Sequence, residues 1–164
     1  MIIMQIFETL VVKISRGLDF LAGLILAATA LLVVANILGR ALINHSILGT
    51  YEMVGFLTAA VVGLAMARCA VENGHITVTF ILERFSPVIQ RIVEIIVGIP
   101  VFIFFLFASY NLFRYGRLMD VSGEVAPTTQ LIFYPFVYLV AIGFVVLALT
   151  VLLQVIKLIV GGER

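Results

Sequence analysis

Charged residues divide this chain into long apolar runs. None lies between Asp19 and Arg40, so Phe20 to Gly39 is long enough to cross the hydrocarbon of a bilayer as a helix. A shorter charge-free run, Met53 to Ala67, follows Glu52. It spans if its ends snorkel or if Tyr51 and Ala70 lie at the interface. The third run is Ile95 to Phe113. The fourth, between Glu124 and Lys157, is long enough to span with tilt or with an extra turn outside the lipid. The pattern predicts an all-α integral membrane protein of one domain, with transmembrane helices over about 18–40, 51–71, 92–114 and 129–156.

A different pattern separates the second and third runs. Ile81, Leu82, Phe85, Val88, Ile89 and Ile92 recur at helical spacing, with Glu83, Arg84, Gln90 and Arg91 between them. This predicts an interfacial amphipathic helix over about 77–85. Ser86-Pro87 then starts a new helix, since serine caps and proline suits the first helical position. Between Arg114 and Gln130, Gly116, Gly123 and Pro127 predict a structured turn. Pro127 is expected to open the fourth helix, and Pro135 to kink it.

Composition agrees with this picture. Of 164 residues, 63% are hydrophobic and 12% charged, with a mean hydropathy of +1.26. A soluble domain could not bury so much apolar surface. The net charge of +1 gives no polybasic surface for nucleic acid. Met1 to Leu10 is apolar but short and contains Glu8; it is expected to be a retained segment, not a cleaved signal. With the N-terminus inside, Lys13, Arg16, Arg68, Arg84, Arg91, Lys157 and Arg164 face the cytoplasm. Arg40, Arg114 and Arg117 then face outward. Seven cations against three predict that both termini are cytoplasmic.

Little in the chain carries chemistry. The lone Cys69 excludes an intramolecular disulfide, and His45 and His75 are too separated to suggest a haem pair. No nucleophile–base set, phosphate loop or metal cluster is present. The expectation is therefore no enzyme and no cofactor. Polar groups inside spans are few; Asn36 and Gln154 lie in the first and fourth, near opposite faces of the membrane, and no carboxylate lies mid-span, where a proton-coupled transporter usually needs one.

Small residues form stripes: Gly55, Ala59, Gly63 and Ala67 every four residues in the second span, and Gly23, Ala27, Ala35 and Gly39 in the first, with Leu31 interrupting. They predict close helix packing, within the chain or against another subunit. Arg40 and Glu52, at the outer ends of adjacent helices, either pair or are separately solvated. Arg68 and Glu72 are spaced to pair on one helix face. Gly74 is placed to stop that helix, leaving His75 at the inner interface as a cap, a structural hydrogen-bonder or a lipid contact. The predicted outer charges Arg40, His45, Arg114, Arg117, Asp120 and Glu124 are candidate docking points for a soluble partner.

Glu52 opening a Gly/Ala-rich span, then Gly63, Arg68, Gly74-His75-Ile76 and an amphipathic stretch, resembles the small membrane subunit of tripartite ATP-independent periplasmic (TRAP) transporters. The fourth span, from Thr129 through Tyr134-Pro135 to Gly143, is similar too, and the likeness runs from about Leu18 to Gln154. Tyr51-Glu52 departs from the two acidic residues of many relatives, so no paired-carboxylate role is carried over. The resemblance implies a bacterial inner-membrane scaffold subunit with no transport site of its own. Its implied partners are a large membrane subunit bearing substrate and sodium sites, and a periplasmic binding protein that delivers an organic acid. Two other classes remain on the residues alone. A self-sufficient four-span transporter needs a buried acid, and a redox-complex anchor needs paired histidines or cysteines.

Overall fold

The structure is a computed structural model that describes residues 2–72 and 86–160. Four helices cover most of them: α1 (Ile2–Leu42), α2 (Thr50–Val71), α3 (Pro87–Ser122) and α4 (Tyr134–Val160). All four are long and apolar enough to cross a membrane. The predicted interfacial helix at 77–85 lies outside the described residues.

α2 and α4 form the centre. α4 packs on both α3 and α2, α1 packs mainly on α2, and α1 touches α4 only marginally. The packing order is thus α1–α2–α4–α3, with α2 and α4 parallel and the outer two antiparallel to them. Burial follows that order: 44% of α4's apolar window is inside the protein, but only 6% of α3's.

The centre closes through glycine. A Cβ added to Gly63 would fall 2.9 Å from the Val140 Cα, and one added to Gly143 would collide with the Gly63 carbonyl and lie 3.1 Å from the Leu64 nitrogen. The two backbones therefore touch, which only residues without side chains permit. Ala60, Leu64, Ala67 and Ala70 of α2 are fully buried around this contact. Towards the chain termini, Ala67, Ala70, Val146, Leu147 and Val151 form a core against which Leu18 of α1 and Phe102 and Phe105 of α3 pack.

α1 packs through a different repeat. Val11, Ser15, Ala22 and Thr29 are buried, and Leu18, Ile25, Leu32 and Asn36 are half-buried. Their alternating four- and three-residue spacing is that of left-handed helix pairs. Two of the buried positions are polar, and both hydroxyls bond within the helix: Ser15 to the Val12 carbonyl at 3.0 Å and Thr29 to that of Ile25 at 2.7 Å. The small-residue stripe of α1 lies off this face. Gly23 and Ala27 are exposed, and nothing lies within 4 Å of a Cβ added at Gly23. On α2 the stripe divides: Gly63 and Ala67 are buried, Gly55 and Ala59 exposed. A row of every fourth residue turns about 40° per step, so Gly55 and Ala67 sit about 120° apart on the cylinder.

Helix ends also depart from the charge pattern. α3 starts at Pro87 after an extended Ser86 and runs through Pro100. α4 does not start near 129. Gln130 is left-handed at φ 52°, Ala126 donates to the Leu131 carbonyl and Gln130 to that of Ala126, and Val125 bridges Ile132. A right-handed helix cannot run through that turn, so Pro127 opens nothing. Pro135 instead falls in the first turn of α4, where a missing N–H costs nothing and no kink is required.

Gly143→Leu is expected to lower stability by at least about 1–3 kcal/mol, because the side chain must displace backbone atoms. Gly55→Ala, which enters open space, is expected to leave stability nearly unchanged. Thermal unfolding of both variants in detergent checks this.

Candidate functional site

Function in a protein with so filled a centre has to lie at the ends of the bundle or on its outer faces. At the end that carries the two interhelical turns, Glu52 does the organising. Its carboxylate accepts the backbone N–H of Thr128 at 2.9 Å, that of Thr129 at 3.1 Å, and the Thr129 hydroxyl at 3.1 Å. The turn before α4 is thereby pinned to the first turn of α2, where a negative charge also suits the helix dipole. Gly49 precedes that turn with φ +74°, and the Thr129 side chain occupies the space a Cβ would need. Phe56 stacks on Phe133 and Phe136, at 5.4 and 5.9 Å between ring centres, just below the pin.

The α1–α2 turn is held separately. The Asn36 carboxamide oxygen accepts the Ile47 N–H at 2.8 Å, and the Gly39 carbonyl accepts those of Ile43 and His45. Asn36 is thus the acceptor for a turn, not a mid-membrane site. The structure does not bring Arg40 onto Glu52: both Glu52 oxygens face the Thr128–Thr129 turn, and Arg40 is exposed. His45, Arg114, Arg117, Asp120 and Glu124 are all exposed at this end. The Arg114 guanidinium lies 5.9 Å from the centre of the Tyr110 ring.

The end that carries the termini is tied by four contacts. Arg68 pairs with Glu72 at 2.5 Å along α2, and Lys157 with Glu8 at 2.5 Å between α4 and α1. The Gln154 amide donates to the Ala70 carbonyl at 2.7 Å, and Arg91 to that of Ile159 at 2.9 Å. The last two satisfy carbonyls that a helix leaves free at its C-terminus, where positive charge is favoured. Gly74 and His75, which sequence placed at this end, lie outside the described residues.

Between the ends, α3 and α4 share one deep polar contact, the Ser109 hydroxyl donating to the Ala141 carbonyl at 2.9 Å. Among the described residues, no buried side-chain polar atom lacks a partner, and no group of three His, Cys, Asp or Glu could hold a metal.

Sequence reasoning missed the Glu52 pin, the Glu8–Lys157 pair and the Ser109 bond. All three join positions at least 32 residues apart. The one local signal was Glu52 in a first helical turn, a place where a carboxylate is often an acceptor of amides.

The family model for the DctQ component of tripartite ATP-independent periplasmic transporters matches residues 29–161. The chain belongs to that family. No curated protein matches it. As a DctQ-family chain it is the small membrane component of a transporter and a multi-pass membrane protein, from a family of transport components and not of enzymes. The match includes Glu52, Gly63, Arg68, Gly143 and the exposed charges at the turn-bearing end. It leaves out the first 28 residues of the chain, and with them most of α1.

Glu52→Ala is expected to free the Thr128 and Thr129 amides, so their hydrogen exchange accelerates while that of the α4 centre does not. Glu52→Gln, which keeps an acceptor oxygen, is expected to have the smaller effect. Exchange resolved by mass spectrometry of the turn's peptides reads both.

Proposed function

We propose that this DctQ-family chain is the static scaffold subunit of a sodium-coupled importer of an organic acid. A large membrane subunit carries the substrate and sodium sites, and a periplasmic binding protein delivers the acid. The supporting observation is the closed interior. The α2 and α4 backbones touch at Gly63 and Gly143, the core beside them is apolar, and the buried hydroxyls of Thr29, Ser109 and Thr150 each bond a backbone carbonyl. A transport site needs unsatisfied polar groups at mid-depth. The described residues offer a support instead.

The bacterial inner membrane holds the chain, with both termini in the cytoplasm. Lys13, Arg16, Arg68, Arg91 and Lys157 gather at the end that carries the termini, against Arg40, Arg114 and Arg117 at the other, which supports this orientation. The Arg68–Glu72 pair then finishes α2 at the cytoplasmic interface. The exposed Gly23, Ala27, Gly55 and Ala59 offer places where a helix of the large subunit can approach closely. His45, Arg114, Arg117, Asp120 and Glu124 form the face on which the binding protein docks.

Three outcomes test this reading. A tagged chain is expected to copurify with a larger membrane protein. Liposomes holding this chain alone are expected to take up no organic acid, and uptake by them would overturn the scaffold role. Reversing charge with Arg114→Glu and Arg117→Glu is expected to weaken binding-protein docking and uptake by the whole transporter, while copurification is kept.

A further inference from the structure

Glu8 sets the height of α1 against α4. Its partner Lys157 is the first charge after the long apolar run of α4, so the pair marks the level at which α4 leaves the apolar layer. Lys13 and Arg16 lie five and eight residues further along α1. At 1.5 Å per residue they are about 7 and 12 Å deeper than that level. The neighbouring stretch of α4 carries no charge there, and its Val151, Leu153 and Val155 are buried.

Both cations are exposed, and neither forms an ion pair among the described residues. They point away from the bundle. At 100° per residue they fall roughly 130–170° round α1 from the packed Val11, Ser15 and Leu18. Phe20 and Leu24 follow on that outer side and are exposed at 70% and 53%. A cation facing lipid at this depth is costly unless its long side chain reaches back to an anion at the surface. The anion that a bilayer itself supplies at that level is a lipid phosphate. Lys13 and Arg16, three apart on a helix, are neighbours that can share one. Exposed Asp19 lies one turn beyond. It leaves the trio at a net single positive charge, which suits a singly charged headgroup better than a multiply charged one.

We propose that Lys13 and Arg16 hold the phosphate of one anionic phospholipid whose acyl chains run along Phe20 and Leu24. The site lies in the part of α1 outside the family match and stands whichever subunit the chain pairs with.

The test is native mass spectrometry of the full chain, purified in mild detergent with any subunit that accompanies it, after addition of phosphatidylglycerol or phosphatidylethanolamine. The chain is expected to retain phosphatidylglycerol better by roughly five- to thirtyfold, the range that one or two net cationic contacts give. The double variant Lys13→Ala, Arg16→Ala is expected to lose that preference, and Lys13→Arg, Arg16→Lys to keep it. Equal retention of the two lipids by the unaltered chain overturns the proposal, whether or not the alanine variant folds. So does a preference that survives the double alanine change. Displacement of the lipid by millimolar inorganic phosphate also overturns it, by assigning the pair to a soluble anion.

Discussion

Two glycines touching at the middle of the bundle set the spacing of everything else. With Gly63 against Gly143, α2 and α4 approach at backbone distance. Lipid gives helices no hydrophobic reason to associate, so the contact area gained by that approach is itself the driving force. Each edge helix then adds one side: α1 by its seven-residue repeat, α3 by Phe105 meeting Phe144 edge-on at 5.3 Å and by the Ser109 bond. The outer faces of both edge helices remain open. Those open faces are where the proposed scaffold would meet another protein and lipid.

The ends follow from a second requirement, that a helix satisfy the carbonyls and amides its own ladder leaves over. Other helices supply the partners. Glu52 of α2 serves the turn before α4, Gln154 of α4 serves the end of α2, and Arg91 of α3 serves the end of α4. Each bond satisfies a backbone group and also fixes the height of one helix against another. The polar residues of this apolar chain thus go largely into holding neighbouring helices in register.

Existence and number of the helices were legible in the sequence because an apolar run bounded by charge has one stable form in lipid. The Ser86-Pro87 start was legible because its signal is local. The start of α4 was not, because a left-handed Gln130 and a distant carboxylate from Glu52 decide it. The stripes were half legible. Every fourth residue reads as one face only over two or three steps, so Gly63 and Ala67 share the buried face while Gly55 and Ala59 turn out of it. Gly143, the one glycine of α4, carried no periodic signal.

The tie between Glu8 and Lys157 also orders events in time. The two residues are 149 apart in the chain. On a ribosome, α1 and α2 can enter the membrane and pack as a hairpin long before Lys157 is made. Until then Glu8 lacks the partner it has in the structure. The last helix to be made is the one with the most buried apolar window, and its final turns bring the cation that meets the first helix. Closure of the bundle therefore waits for Lys157: a chain cut short before it keeps the hairpin but lacks the contact that ties α4 to α1.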